Sequence, residues 1–286
     1  MPQSCAIPFA FDLAGVAAGR ADHRVPSRGL LETVDGSRWR PMATPAFDRT
    51  ADCLRFVQQP IRRLSDDQIC GYEILARPFG RTDSAAREVW FAEIEDQHEI
   101  TTVDIGALAA AGRLAGAVHT SDAQVAISCN CSIRSLGSSA WWRGLEHALE
   151  TGGRGAALVV ELTERGTPDH PDLLASAASA LKKLGVQVSL DDVGDPDGQH
   201  VLALFEELRP DWVKLSGRLI AQAAQDQRQD ASRAEAELTG YLARAHAVGA
   251  SVVAEGVESQ AARALCERLG VDAVQGFLLD KPVPVQ

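Results

Sequence analysis

The stretch Val188-Ser189-Leu190-Asp191-Asp192-Val193-Gly194 ends an apolar run with two adjacent aspartates. The β-branched and apolar residues predict a buried strand, and the Gly, Asp and Pro residues that follow predict a loop. An ordinary strand end needs one turn residue, so the paired carboxylates require a further explanation.

Strands and helices alternate along most of the chain after residue 52. Short β-branched runs lie at 53–58, 69–76, 124–132, 157–164, 186–192, 212–216, 251–257 and 273–279. Ala- and Leu-rich stretches predict helices at 102–118, 139–151, 172–184, 199–208, 218–248 and 260–269. This alternation predicts an α/β protein, a modified (β/α)8 TIM-type barrel, with a doubly wound sheet as the alternative. Residues 59–68 are too few for a helical crossover, so we expect the first two strands to be antiparallel.

The chain has 286 residues, of which 45% are apolar, and a formal net charge of −11. This charge argues against a DNA or membrane-surface partner, and an anionic ligand would need metal ions to supply positive charge locally. The six cysteines include no CxxC pair and no apolar run is long enough to span a bilayer, so we expect a cytoplasmic protein. Residues 1–52 lack a sustained period and predict a partly disordered N-terminal extension ahead of one domain at 53–286.

Polar side chains stand near the carboxyl ends of most predicted strands. They are Glu73, Asn130, Glu161, Glu164, Asp191, Asp192, Lys214, Glu255, Glu258 and Gln275. Any one of them, taken alone, is more often a helix cap or a solvated loop residue. The carboxyl ends of barrel strands meet at one rim, however, and the active sites of such barrels are built there. The set as a whole therefore predicts one acidic site at the mouth of the barrel.

The composition of this set restricts its chemistry. Clustered carboxylates repel one another unless some are protonated or cations bind. Oxygen ligands without histidine favour Mg²⁺ or Mn²⁺ over zinc. Adjacent aspartates would let one carboxylate bridge two ions while its neighbour holds the second, as in two-metal phosphoryl-transfer sites. We therefore interpret Asp191-Asp192 as the bridge of a metal pair.

At these positions the chain resembles the EAL-domain family of cyclic di-GMP phosphodiesterases. The resemblance extends from about residue 54 to residue 284, and its motifs occur in the family order. The matching segments are Gln59-Pro60-Ile61, Glu73-Ile74-Leu75-Ala76-Arg77, Asn130-Cys131-Ser132, Glu161-Leu162-Thr163-Glu164, Asp191-Asp192-Val193-Gly194, Asp211-Trp212-Val213-Lys214, Glu255-Gly256-Val257-Glu258 and Gln275-Gly276-Phe277. A single motif is weak evidence, but the ordered set is specific.

The resemblance implies a barrel with an antiparallel first strand that hydrolyses cyclic di-GMP to linear pGpG with two Mg²⁺ or Mn²⁺ ions. It implies the metal ligands Glu73, Asn130, Glu161, Asp191, Asp192 and Glu255. Lys214 would position or deprotonate the attacking water, with a pKa that the cations lower. Glu164 would anchor the loop after the fifth strand, and Glu258 would support the ligands. The resemblance implies that four residues bind the nucleotide: Gln59, Leu75, Arg77 and Gln275. The resemblance also suggests a homodimer and leaves room for a regulatory protein partner.

Four features depart from the family pattern. Ser216 stands where the family normally has Asp, which removes one carboxylate near the site, and Val193 replaces the usual Phe. Ile74 replaces the motif alanine, and the loop at 195–200 is longer than the family's small-residue loop. These departures keep two alternatives open. One is a receptor that binds cyclic di-GMP without cleaving it, and the other is a protein-interaction module that has lost the nucleotide.

Overall fold

The computed structural model describes residues 38–39, 54–81, 83–96, 99–118, 125–152, 156–162, 171–195, 205–225 and 229–285. The strands within these ranges are β1 (Arg38–Trp39), β2 (Leu54–Arg63), β3 (Ile69–Pro78), β4 (Val125–Cys131), β5 (Ala156–Leu162), β6 (Gln187–Val193), β7 (Trp212–Leu215), β8 (Ser251–Ala254), β9 (Ala273–Val274) and β10 (Val283–Pro284). The helices are α1 (Ser84–Asp96), α2 (Ile100–Ala117), α3 (Ile133–Leu136), α4 (Ser139–Gly152), α5 (Pro171–Lys183), α6 (Phe205–Leu208), α7 (Gly217–Ala223), α8 (Gln229–Ala247) and α9 (Gln260–Leu269). Among the described helices, none combines the length and the apolar character that a bilayer span requires.

Eight of these strands close a barrel. Strands β2 to β9 follow one another around the ring in sequence order, and β2 also pairs with β9. Neighbouring strands from β3 to β9 are parallel, whereas β2 is antiparallel to both β3 and β9. This arrangement confirms the predicted modified TIM-type barrel and its antiparallel first pair. The doubly wound alternative is wrong, because such a sheet is open at both edges.

The first hairpin is longer than the sequence pattern predicts. Strands β2 and β3 have ten residues each and pair along almost their whole length, with an irregularity between Ile61 and Arg62. Two short strands add to the same β2 from outside the ring: β1 pairs at Arg55, and β10 pairs at Gln58. Apart from β1, the predicted N-terminal extension lies outside the described residues, so its boundary at residue 52 stays a prediction.

Two predicted elements differ from the structure. The prediction of one helix across 218–248 is wrong, because α7 ends at Ala223 and α8 begins at Gln229. Residues 225–230 are all polar, so a helix continued through them would have no apolar face to pack. The prediction of a strand at 273–279 is wrong beyond Val274. The chain turns there, and the Leu279 amide donates a hydrogen bond to the Gly276 carbonyl at 3.1 Å.

The alternation of side chains along the barrel strands determines where the site lies. Successive residues of a barrel strand point either to the surrounding helices or to the interior. Val160 and Leu190 belong to the large apolar core that the strands share with the helices. The residues that follow them, Glu161 and Asp191, are buried on the interior side together with Lys214. Near their carboxyl ends, the strands therefore place apolar side chains outside the ring and polar side chains within it.

A small apolar cluster fills another part of the interior. It consists of Ile61, Val253 and Ala273, with Cys70 and Trp212 packed against it. Cys70 and Trp212 lie at the amino ends of β3 and β7, which places this cluster at the end of the barrel opposite the acidic residues. The polar interior is therefore confined to the carboxyl ends of the parallel strands, as the barrel architecture predicts.

Gly276 lies where the loop after β9 packs against the loop after β8, and its replacement tests that packing. A Cβ atom added there would lie 2.2 Å from the carbonyl oxygen and 2.3 Å from the nitrogen of Val257. We expect Gly276→Ala to lower the free energy of unfolding by about 1–3 kcal/mol, because the backbones must move apart. Urea denaturation measures this change.

The matched control is Gly240→Ala on α8. Gly240 is exposed and has open space around it. This variant should raise the free energy of unfolding by about 0.5–1 kcal/mol, because alanine favours a helix over glycine. Equal stabilities of the two variants would contradict the close approach at Gly276.

Candidate active site

The side chain of Lys214 lies at the centre of the barrel mouth. It is 2% exposed, and its Nζ lies 2.6 Å from Glu255 Oε1, 2.9 Å from Glu161 Oε2, 3.0 Å from Asp191 Oδ1 and 3.4 Å from Glu73 Oε2. Glu73 comes from β3, Glu161 from β5 and Asp191 from β6, and Glu255 directly follows β8. Carboxylates that are far apart in the sequence therefore converge on one ammonium group.

This crowding shifts the pKa values of three groups. Burial alone would lower the pKa of Lys214, but the surrounding carboxylates outweigh burial and raise it well above its ordinary value. Burial raises the pKa of Glu161 and of Glu255 well above their ordinary values, and neighbouring carboxylates add to this effect against the opposing charge of Lys214. Four carboxyl groups surround one ammonium group, so ionisation of all four would leave an excess of negative charge. The lowering of the Lys214 pKa implied by the family resemblance concerns a site with cations bound, and it stays a prediction.

The adjacent aspartates reach the same region although strand alternation would place them on opposite sides. An irregularity between Leu190 and Val193 interrupts the register of β6 with β7, and Asp192 has a left-handed φ of 55°. Aspartate tolerates this conformation better than most residues, and a bulge of this kind redirects a side chain. As a result, one carboxylate oxygen from each of Asp191, Asp192 and Glu255 lies within 4.8 Å of the other two.

These side chains fit a divalent cation. Their donor atoms are carboxylate oxygens, which Mg²⁺ and Mn²⁺ prefer. Glu161 Oε1 is buried without a hydrogen-bond partner, whereas Asp191 Oδ1 is paired with the Lys214 ammonium group at 3.0 Å. A buried oxygen without a donor is costly, and a cation would satisfy it. The unpaired Glu161 oxygen and the carboxylate donor set therefore suit a divalent cation.

Glu73 connects three of the predicted site residues. Its Oε1 accepts a hydrogen bond from Asn130 Nδ2 at 3.2 Å, and its Oε2 accepts one from Gln275 Nε2 at 2.7 Å. Asn130 lies on β4, and Gln275 directly follows β9. These two amides fix the Glu73 carboxylate beside Lys214.

A cavity of about 280 Å³ opens beside the aspartates. Leu75, Arg77 and Asn130 line it together with the aspartate pair. Its opposite wall is apolar and includes Phe91, Ile100 and Val103. One space therefore combines a hydrophobic surface, a guanidinium group and the acidic cluster.

Of three further predicted site residues, Gln59 lies directly opposite Glu73 in the β2–β3 pair, whereas Glu258 is exposed and Glu164 lies outside the described residues. Gln59 is buried, and its Nε2 donates a hydrogen bond to the Asp280 carbonyl at 3.1 Å. Glu258 is exposed in the loop after β8 and is not among the described carboxylates that contact Lys214. Glu164 lies outside the described residues. The roles that the family resemblance implies for these three stay predictions.

Asp104 is a site residue that the sequence reasoning missed. It lies on α2 and is 5% exposed, and its Oδ2 accepts hydrogen bonds from the Ser132 amide at 2.8 Å and from Ser135 Oγ at 2.6 Å. It thereby holds the segment that follows Asn130, and it also lines the cavity. A signal was present in the sequence, because Asp104 is the one acidic residue in the apolar stretch 100–117.

The fold and the mouth together define a TIM-type barrel protein with a carboxylate-rich site suited to divalent cations. The EAL domain family matches residues 45–282, and the chain belongs to that family.

Relatives with this domain are known from several bacteria. Cyclic di-GMP phosphodiesterase NbdA of Pseudomonas aeruginosa is 30% identical over 239 residues, which cover 82% of this chain and 29% of that protein. Uncharacterized protein Rv1357c of Mycobacterium tuberculosis is 30% identical over 241 residues, which cover 80% of this chain and 75% of that protein. The chain therefore spans less than a third of the length of NbdA.

Solved structures agree with the barrel. The cyclic di-GMP complex of the PaMucR phosphodiesterase superimposes with a TM-score of 0.68 at 24% identity, over 81% of this chain and 92% of that one. The manganese and cyclic di-GMP complex of Klebsiella pneumoniae BlrP1 gives a TM-score of 0.64 at 23% identity, over 80% of this chain and 56% of that one. At these identities the likeness establishes the fold.

The raised carboxylate pKa values predict that cation binding releases protons. Glu161 and Glu255 hold protons above the ordinary carboxylate range and must lose them before they bind a cation. We expect the affinity for Mn²⁺ to increase as the pH rises above the ordinary carboxylate range, because the raised pKa values delay the loss of these protons. Calorimetry in buffers of different ionisation enthalpy measures the released protons, and an affinity that does not change with pH would contradict the prediction.

The same raised pKa values predict that the stability of the cation-free protein decreases as the pH rises, whereas its affinity for Mn²⁺ increases. A carboxyl group with a raised pKa in the folded state contributes stability that is complete below its ordinary pKa. This contribution is lost as the pH rises through the raised value. Without cations, the protein should therefore lose the contribution of Glu161 and Glu255 over the pH range in which its affinity for Mn²⁺ increases.

Proposed function

We propose that this chain is a metal-dependent phosphodiesterase that hydrolyses cyclic di-GMP to linear pGpG with two Mg²⁺ or Mn²⁺ ions at the barrel mouth. The observation that carries the proposal is the convergence of four carboxylates on Lys214 beside a cavity that Arg77 lines. The name of the relative NbdA and the nucleotide in the PaMucR structure support the choice of substrate.

The proposed metal ligands are Glu73, Asn130, Glu161, Asp191, Asp192 and Glu255. When bound, divalent ions stabilise charge on phosphoryl oxygens and lower the pKa of a coordinated water. The manganese in the BlrP1 complex supports this choice of ion. The hydrogen bonds from Asn130 and Gln275 would keep the Glu73 carboxylate oriented, as supporting contacts do in metal sites.

Lys214 would donate a hydrogen bond to the attacking water. Its ammonium group has three donors, and the surrounding carboxylates fix its position. To accept a proton, Lys214 needs a lower pKa than it has among unneutralised carboxylates. Positive charge bound to those carboxylates would lower it in the required direction.

The substrate would bind across the cavity. A guanidinium group suits a phosphate because it offers several donors in a fixed plane, so Arg77 would bind one phosphate of the dinucleotide. Leu75 and the apolar wall would pack against a base, with Gln59 and Gln275 shaping the pocket. Glu164 and Glu258 would support the loops around the site. A volume of about 280 Å³ is suited to one half of a dinucleotide, with the other half at the open mouth.

A receptor that binds cyclic di-GMP without cleaving it is the second candidate. The observation that favours it is Ser216, which is buried at the end of β7 where the family normally has Asp.

We further propose a cytoplasmic homodimer with no DNA or membrane partner, and a regulatory protein partner stays an open prediction.

Incubation of the purified protein with cyclic di-GMP and Mn²⁺ or Mg²⁺, followed by chromatography, tests the proposed function directly. Hydrolysis predicts that pGpG appears with the unmutated protein and is absent with Glu73→Ala. Substrate that stays intact but is retained by the protein on dialysis would support the receptor instead.

Asp192→Asn should reduce kcat by about a hundredfold or more, because it removes a ligand charge while keeping the shape of the side chain. Initial rates measure the effect, and the thermal midpoint should change little. Asp172→Asn is the matched control, since Asp172 is an exposed residue in the first turn of α5. Equal rates in the two variants would remove the basis for Asp192 as a ligand.

Arg77→Ala should raise the KM for cyclic di-GMP by about tenfold to a hundredfold, because charge-assisted hydrogen bonds to a phosphate are lost. The concentration of Mn²⁺ for half-maximal activity should stay the same. Arg233→Ala is the control, since Arg233 is 82% exposed on α8. If substrate and metal binding weaken equally, Arg77 supports the fold of the site instead of the nucleotide.

A further inference from the structure

The loop that follows the Asp191-Asp192 pair is tied to the start of α7. Ser216 Oγ donates a hydrogen bond to Asp195 Oδ1 at 2.5 Å, and Arg218 Nε donates to the same oxygen at 3.1 Å. Arg218 Nη2 also donates to the Gly194 carbonyl at 2.7 Å. We call these four residues, Gly194, Asp195, Ser216 and Arg218, the Arg218 clamp.

The backbone between the metal ligands and the clamp has a positive φ at two residues, of which only Asp192 is not a glycine. Asp192 has a φ of 55° and Gly194 a φ of 99°. A non-glycine residue at such a φ costs about 1–3 kcal/mol and persists only where surrounding contacts determine it. The Asp195 amide donates to the Asp192 carbonyl at 3.1 Å, so the turn closes directly onto the clamp. Gly194 is also packed against Leu219, because a Cβ atom there would lie 2.6 Å from Leu219 Cδ2.

The clamp segment also contacts the loop that carries Glu255. The Glu255 amide donates to the Leu215 carbonyl at 3.0 Å. A Cβ atom on Gly217 would lie 2.9 Å from the Cα of Gly256, so these two backbones touch. The start of α7 therefore fixes the backbone on both sides of the group formed by Asp191, Asp192 and Glu255.

We propose that Arg218 is a positioning residue for this carboxylate group, acting through Asp195 and the Gly194 carbonyl. The inference rests on the proposed function, since it assigns Arg218 the task of keeping the Asp192 carboxylate where a cation would bind. Arg218 is half exposed, with 50% of its side-chain surface accessible, and its described ion pair is with Asp195. Arg218 acts indirectly, through Asp195 and the Gly194 carbonyl, as residues that orient ligating carboxylates do.

Arg218→Ala tests the proposal in the full chain. We expect the affinity for Mn²⁺, measured by electron paramagnetic resonance without nucleotide, to fall by about tenfold. The kcat for cyclic di-GMP should fall while KM stays unchanged, because the substrate-binding side chains are untouched. The thermal midpoint should change little, since an exposed ion pair adds little stability. Arg233→Ala, which breaks the exposed ion pair with Glu237 on α8, should leave all of these values unchanged.

A charge exchange provides a rescue test. Ser216→Asp places a second carboxylate against Asp195 and should break the clamp by repulsion, with a loss of Mn²⁺ affinity similar to that of Arg218→Ala. Adding Asp195→Asn to Ser216→Asp removes the repulsion and restores one carboxylate, so affinity and kcat should return toward those of the unmutated protein. Loss and recovery of Mn²⁺ affinity at an unchanged thermal midpoint would support the positioning role, whereas a thermal midpoint that falls and recovers together with the affinity would contradict it.

The outcomes separate the clamp from the proposed function. If the unmutated protein binds Mn²⁺ and cleaves cyclic di-GMP, and Arg218→Ala does so equally well, the positioning role of Arg218 is wrong and the proposed function stands. A loss of thermal stability in Arg218→Ala with a rise in KM would also overturn the positioning role. If the unmutated protein neither binds Mn²⁺ nor cleaves the nucleotide, the proposed function and the inference that rests on it both fail.

Discussion

One buried ammonium group makes the acidic mouth of the barrel possible. Lys214 is 2% exposed and lies within 3.4 Å of an oxygen of each of four carboxylates. Without it, these carboxylates would repel one another at short range, and most would be protonated. Removing one partner of a buried charge pair typically costs about 3–5 kcal/mol, because the other charge is left uncompensated. Lys214 therefore lets the chain fold with its acidic side chains in place before any cation binds.

The charge that Lys214 leaves unbalanced links the stability of the barrel to cations. Burial is the main cause of the raised pKa values of Glu161 and Glu255, and the neighbouring carboxylates add to it against the one ammonium group. A cation that binds the folded chain and not the unfolded one stabilises the fold by mass action. The same excess would repel an anionic dinucleotide, so bound cations have to supply the attraction at the mouth. If the proposed function holds, the dinucleotide should therefore bind more tightly once cations occupy the site.

The barrel could be predicted because its signals are local, whereas several features of the site depend on distant pairing. Strand alternation and the short first connection are visible within single segments, and the shared rim follows from parallel strands. The sequence analysis placed both Asp191 and Asp192 at the site, but it could not predict the backbone that brings them there, because that depends on an irregular register between β6 and β7. Asp104 is conspicuous in the sequence, but its partner Ser132 lies 28 residues away and only the fold joins them. The same holds for Arg218 and Asp195, which are 23 residues apart.

Ser216 shows how a missing side chain can be replaced from another element. The family pattern predicts the loss of a carboxylate at the end of β7, but Asp195 Oδ1 lies 2.5 Å from Ser216 Oγ. The charge therefore reaches this region from the loop instead of the strand. The two carboxylates differ in what holds them in place. A carboxylate on β7 would be fixed by the sheet, whereas Asp195 is held by a partly exposed arginine. Exposed ion pairs are weak and are screened by salt. The order of the Asp191-Asp192 pair in this chain consequently depends on a surface contact that solution conditions can alter.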